Sequence, residues 1–268
     1  MTKLPVIQAG AEPFFFRGGA VGCLCLHGFT ASPAELRWMG EYLAGRGYTV
    51  YGPRLPGHAT DPRDLLRLRW QDWYTAALDS WAVLRAQCEQ VFVVGHSMGG
   101  LLALLLAADR PVAGAVIQAA PIRFRSRLIR AAWWLKYGLR FTDQTDTSPV
   151  VEVIRAEQQR RGEAVVGRVR YNHWASASVE QLYALSCEAR RHLPEVNAPL
   201  LLIYSTADRT VPPENIDLIR REVGSASVET HLLQHSDHIL PQDIERETVF
   251  ALTADFIARH SNSNATSA

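Results

Sequence analysis

Val91-Phe92-Val93-Val94-Gly95-His96-Ser97-Met98-Gly99-Gly100 decides the reading of this chain. Val91 to Val94 form a continuous apolar, β-prone run, the pattern of a strand buried on both faces of a parallel sheet. Leu101 to Ala108 is apolar throughout and reads as a helix. Between them Gly95-His96-Ser97-Met98-Gly99 leaves room only for a tight turn with Ser97 at its apex. Gly95 and Gly99 allow the strand and the helix to close together, and strain at the apex is expected to lift the Ser97 hydroxyl clear of the sheet. The N-terminus of the following helix aims free N–H groups at any negative charge that forms there. The competing reading is a glycine-rich turn with an incidental serine. A bare Gly-x-Ser-x-Gly is common by chance, and it is the strand before it and the helix after it that favour a functional serine.

The same strand–helix alternation runs outward in both directions. Phe14 to Phe16 reads as a short edge strand and Val21 to Leu26 as a buried one, ending at His27-Gly28-Phe29-Thr30. Ser32, Pro33 and Glu35 read as a capping box opening a helix that stops at Gly47. Tyr48 to Tyr51 is a strand, Trp70 to Gln87 a long helix with Trp73, Ala77, Trp81 and Leu84 on one stripe, and Gly114 to Gln118 another strand. Alternation breaks from Pro121 to Asn197 and resumes with the apolar run Leu200 to Tyr204, a helix near Pro213, a strand over Ser227 to Leu233 and a last helix from Gln242 to Arg259. The expected architecture is α/β, about seven mostly parallel strands with helices on both faces. Residues 1–120 and 198–260 form its core, 121–197 a helical insertion, and the polar stretch 261–268 a disordered tail.

The 268 residues are 47% hydrophobic and carry a net charge of +1, which suits one large domain and gives no global attraction for nucleic acid. No apolar run reaches the roughly 18 residues that span a bilayer, so no stable membrane insertion is expected. The N-terminus lacks a basic-then-apolar leader pattern, and four cysteines do not make a disulfide framework in a chain of this length. These features predict a cytoplasmic protein, a monomer or homodimer. His235-Ser236-Asp237-His238 could suggest a metal site, but no paired ligand cluster accompanies it, and neither a metal nor an organic cofactor is expected.

A serine hydroxyl needs a histidine to accept its proton and an acid to orient that histidine. Strand, Gly-x-Ser-x-Gly turn and helix together resemble the nucleophile elbow of the α/β-hydrolases, in which the chain order is serine, acid, histidine. Asp208, just beyond the strand Leu200 to Tyr204, fits the acid. Asp217 falls inside a predicted helix, and Asp143 and Asp146 fall in the insertion. His231 lies within the last strand, leaving His235 and His238, of which His238 is favoured because Ile239-Leu240-Pro241 and the final helix follow it. The oxyanion would take the backbone N–H of Met98, after the nucleophile, and that of Phe29, in the loop after Val21 to Leu26. His27 reads as a brace for that loop.

With Leu26-His27-Gly28-Phe29-Thr30, Gly47-Tyr48-Thr49-Val50, Pro56-Gly57-His58, the elbow, Asp208 and His238 in place, the chain resembles the α/β-hydrolases, and among them the small bacterial carboxylesterases and monoacylglycerol lipases. The resemblance covers about residues 21–120 and 198–258. It implies a serine hydrolase that cleaves carboxylic esters of short- to medium-chain acids, or monoacylglycerols, through an acyl-enzyme on Ser97, with a small-molecule ester as substrate. It also implies that 121–197 is a helical cap. Ile122, Leu128, Ile129, Trp133, Trp134, Leu135 and Leu139 make an apolar helical pattern there, either packing on the core or lining an acyl pocket, with Trp133, Trp134 and Leu135 as the candidate lining. The basic run from Arg123 to Arg140 reads as a solvated face or as a surface for an anionic interface. A thioesterase, amidase or acyltransferase of the same fold, or a non-catalytic binding protein on it, are the alternatives, and a covalent serine probe separates the last from the rest.

Overall fold

The computed structural model describes residues 6–125, 141–143 and 148–262. In chain order the elements are β1 (Phe14–Phe16), β2 (Val21–Leu26), α1 (Ala34–Ala44), β3 (Thr49–Gly52), α2 (Trp70–Arg85), β4 (Gln90–His96), α3 (Met98–Asp109) and β5 (Gly114–Gln118). Beyond β5 come β6 (Phe141–Asp143), α4 (Val150–Arg160), β7 (His173–Ala175), α5 (Ser176–Arg191), β8 (Leu200–Ser205), α6 (Asn215–Glu222), β9 (Val228–Leu233) and α7 (Arg246–Asn262). Seven strands form one sheet in the order β1-β3-β2-β4-β5-β8-β9. Only β1 is antiparallel, as Phe14 pairs with Gly52 and Phe16 with Val50. Every other neighbouring pair is parallel, which requires the helices to cross back over the sheet.

The central strands are apolar on both faces because helices cover both. Helix α1 packs beside α7, and α2 and α3 pack with α5. Helix α3 has no polar stripe. Met98 through Ala107 are all buried, so this helix is enclosed on every side and its run of leucines is core rather than an amphipathic face. Burying so much apolar surface fixes the register of β4 against β2, Val21 opposite Gln90 and Leu26 opposite Gly95. That register brings the end of β2 level with the elbow at the end of β4.

Between β5 and β8 the chain leaves the sheet. There, β6 and β7 form a two-stranded antiparallel ladder, followed directly by α5. Part of the stretch from Arg123 to Arg140 and all of Trp133, Trp134 and Leu135 lie outside the described residues. At the other end, Ser261 and Asn262 continue α7, so the helix runs past the start of the expected tail; 263–268 lie outside the described residues.

The expected capping box at α1 does not form. Pro33 precedes the helix without a side-chain cap, Ser32 Oγ donates instead to Val169 O at 3.0 Å, and Glu35 turns into the core. The reason is competition for the carboxylate. A buried backbone N–H from Gly28, 2.7 Å from Glu35 Oε2, and the His96 ring take it, while the Glu35 and Leu36 amides at the helix N-terminus bond to Ser32 O and Pro33 O.

Candidate active site

Ser97 stands between β4 and α3 with φ 54° and ψ −117°, a strained conformation for a residue with a side chain. The two flanking glycines make that turn possible. A Cβ on Gly95 would lie 2.1 Å from Gly99 O, and one on Gly99 would lie 1.9 Å from Leu26 O. Neither position admits any other residue without parting the strand from the helix.

Asp208 and His238 arrive from the ends of β8 and β9. Ser97 Oγ lies 3.0 Å from His238 Nε2, and His238 Nδ1 lies 2.8 Å from Asp208 Oδ2. Three side chains separated by 111 and 30 positions in sequence are thereby joined in one line. Asp208 is 2% exposed, and its other oxygen accepts the Thr210 and Val211 amides at 2.7 and 2.8 Å. Burial alone would raise its pKa. The facing His238 ring and these hydrogen bonds outweigh it and hold the carboxyl below its ordinary range, so it stays anionic. His235, the alternative histidine, offers its backbone N–H to Glu245 and is exposed, and Asp217 sits in α6.

The loop after β2 approaches Ser97 from the other side. His27 is completely buried, with Nδ1 donating to Gly28 O at 2.9 Å and Nε2 accepting from the Leu55 amide at 3.1 Å. This ring braces the loop and is neutral, since burial pulls its pKa from 6.5 to about 4. Phe29 is held edge-on by His58, Trp73 and Trp174 at 6.0–6.2 Å between ring centroids. Among the described residues no acceptor takes the Phe29 or Met98 amide.

A cavity of about 590 Å³ opens over Ser97 and His238. Its apolar wall includes Phe29, Phe124, Trp174, Leu182, Val211 and Ile239. Arg125, Arg168, Arg170 and Arg209 also line it. Two features of this site were not anticipated from sequence: the inward pairing of Glu35 with His96, and the supply of wall residues from β7 and α5. A glutamate at a predicted helix start and a histidine next to a serine carry no local signal for the first. Among the described residues no cluster of His, Cys, Asp or Glu could hold a metal ion, and no helix is long and apolar enough to cross a membrane.

Comparison with known proteins places this geometry. The chain is 31% identical to a thermostable monoacylglycerol lipase of Bacillus sp. (strain H-257), over 97% of its length and 99% of the lipase. It is 26% identical to a carboxylesterase of Bacillus subtilis (strain 168), over 92% and 96%. A solved structure of one of "two metagenome-derived lipolytic enzymes" superposes with a TM-score of 0.85 at 29% identity, over 95% of this chain and all of that one. Residues 23–251, with both the elbow and the loops of Asp208 and His238 inside them, match the Alpha/beta hydrolase family, and the chain belongs to that family.

Proposed function

We propose that this protein is a serine esterase that hydrolyses carboxylic esters of short- to medium-chain acids or monoacylglycerols. The observation that carries this reading is the continuous line Ser97–His238–Asp208 at 3.0 and 2.8 Å beside an apolar cavity. The names of the two Bacillus relatives agree with it.

In this mechanism Ser97 Oγ attacks the ester carbonyl carbon as His238 Nε2 takes its proton. Asp208 holds the ring by Nδ1–H and stabilises the imidazolium. The carbonyl π electrons move onto oxygen, and the oxyanion is received by the N–H groups of Phe29 and Met98, the latter at the N-terminus of α3. The tetrahedral intermediate collapses, the alcohol leaves with the proton from His238, and the acyl group remains on Ser97. Water then attacks, again giving its proton to His238, and the acid and free Ser97 are released. Residues 121–197 act as a cap whose β7 and α5 close the acyl pocket and keep bulk water from the intermediate.

A fluorophosphonate probe and a panel of p-nitrophenyl esters and monoacylglycerols test the reading together. The expected result is stoichiometric labelling at Ser97 and hydrolysis of C4–C12 esters. No labelling at Ser97 would leave a binding protein on a hydrolase fold.

A further inference from the structure

Glu35 and His96 are 4% and 0% exposed, and the mechanism above uses neither. Between them they touch three parts of the site. Glu35 Oε2 accepts the Gly28 N–H at 2.7 Å and lies 3.0 Å from His96 Nδ1. His96 Nε2 lies 2.7 Å from the backbone carbonyl oxygen of His238. In the chain, Gly28 immediately precedes Phe29, and His96 immediately precedes Ser97.

Both ring nitrogens of His96 therefore face oxygens, so a proton must lie on each line. The inner one could sit on Glu35 as a carboxylic acid. However, the Gly28 N–H and the Arg168 guanidinium, 3.4 Å from Oε1, both favour the carboxylate. Burial pushes the Glu35 carboxyl up, while the charge and hydrogen bond of His96, with Arg168 and the Gly28 amide, more than offset this and hold it well below its ordinary range. A buried polar pair whose hydrogen bonds are satisfied fixes geometry more reliably than it adds stability.

We propose that Glu35 and His96 are positioning residues that clamp the Gly28–Phe29 loop, the Ser97 elbow and the His238 loop into one register. The proposal rests on the esterase reading for its consequence in turnover, but not for the clamp itself. Loss of the Glu35 bridge frees the amide of Gly28 and with it the approach of Phe29. Loss of the His96 donor frees the His238 backbone, on which the distance from Nε2 to Ser97 Oγ depends.

The test compares Glu35→Ala with Glu35→Gln in the full chain. Glutamine keeps, at the position of Oε2, an oxygen that accepts the Gly28 N–H and a proton from His96 Nδ1, but a singly protonated ring then has no proton on Nε2 for the His238 carbonyl. Turnover is taken per serine titrated with the fluorophosphonate probe, and hydrogen exchange is followed in segments 27–31 and 235–240. Glu35→Ala is expected to lower kcat per titrated site by ~10- to 100-fold with KM little changed, the scale of effect of a displaced reacting group. In Glu35→Ala exchange should quicken in both segments, whereas Glu35→Gln should restore slow exchange at 27–31 and leave it fast at 235–240. A purely structural role would lower Tm yet leave per-site kcat and exchange at 235–240 at wild-type values, and that result overturns the proposal. A glutamine variant that exchanges at 27–31 as fast as the alanine one overturns it as well. If Glu35→Ala does not fold, His96→Leu replaces it and must quicken exchange at 235–240, an unchanged rate there being fatal to the clamp. Ser97→Ala run in parallel keeps the two readings apart: retained activity would sink the esterase mechanism, while coupled exchange would still decide the clamp.

Discussion

Arg209 grips Asp237: its backbone N–H donates to Oδ1 at 3.1 Å and its guanidinium Nε to Oδ2 at 2.9 Å. These are the immediate neighbours of Asp208 and His238, so a second bridge runs beside the Asp208–His238 hydrogen bond. Asp237 Oδ1 also accepts the His238 amide at 2.8 Å, and one carboxylate thereby ties together the loops after β8 and β9.

The two halves of that bridge should differ in worth. The Arg209 side chain is 67% exposed, so Arg209→Ala should cost less than about 1 kcal/mol of stability. Asp237→Ala removes the acceptor of two backbone amides and should cost about 1–3 kcal/mol, with a fall in kcat as the His238 loop loosens. Urea unfolding and steady-state kinetics of the two variants check this. Equal effects would mean that the guanidinium, not the pair of amides, holds the loops.

Ser97→Ala should lower turnover by about 10⁴-fold or more while leaving the melting curve near wild type, because the strained backbone and the core behind it are kept. Asp208→Asn and His238→Ala should each inactivate as well. His235→Ala and Asp217→Asn should not, since neither side chain belongs to the Ser97 line. A live His238→Ala variant would remove His238 from the mechanism.

Stability should fall on mild acidification. Burial holds His27 and His58 neutral, lowering their pKa values from 6.5 to about 4 and about 3. Below about pH 6.5 the unfolded chain binds protons that the folded protein refuses. Each ring therefore removes up to about 1.4 kcal/mol per pH unit as pH drops from 6.5 toward its folded value, and contributes nothing above 6.5. Glu35 and Asp208, whose folded pKa values are depressed, add their losses only as pH falls below the ordinary carboxylate range. Urea unfolding at pH 7, 6 and 5 reads the slope, and His58→Asn should reduce it by about half. Constant stability from pH 7 to 5 would contradict the neutral burial of these rings.

Chain-length preference should follow the cavity wall. Leu182→Ala lengthens the pocket, and each added methylene that it buries is worth about 0.8 kcal/mol, so a shift of two carbons should change relative specificity roughly tenfold. The same assay applies to Trp134→Ala, where a changed preference marks a lining residue and a lowered Tm with constant ratios marks a packing one. The measurement is kcat/KM on C4, C8 and C12 esters, and a flat series for Leu182→Ala would take α5 out of the acyl pocket.

The sheet and the line of three side chains were legible because each rests on a local pattern. The short β-branched and aromatic run Val91 to Val94, ended by Gly95, reads as a buried strand, and Gly95 and Gly99 bracket Ser97 in a turn that only glycine permits. Asp208 and His238 could be read from their place just past predicted strands, since the order of strands and turns is carried by the chain itself. Glu35 shows the limit. Beside Ser32 and Pro33 it has the local form of a helix cap, and that is how local chemistry reads it. Its partners, Gly28, His96 and Arg168, come from three other segments, and only packing the helix against the sheet brings them within reach. The same holds for the cavity wall: Trp174 and Leu182 belong to a stretch without alternation or motif, and their position over Ser97 follows from how β7 and α5 settle on the core. Sequence determined the strands and the turn that carries Ser97 because hydrophobic period and glycine sterics act between neighbours. Tertiary structure decided the burial partners and the pocket, because desolvated charges and side-chain contacts are settled between residues far apart in the chain.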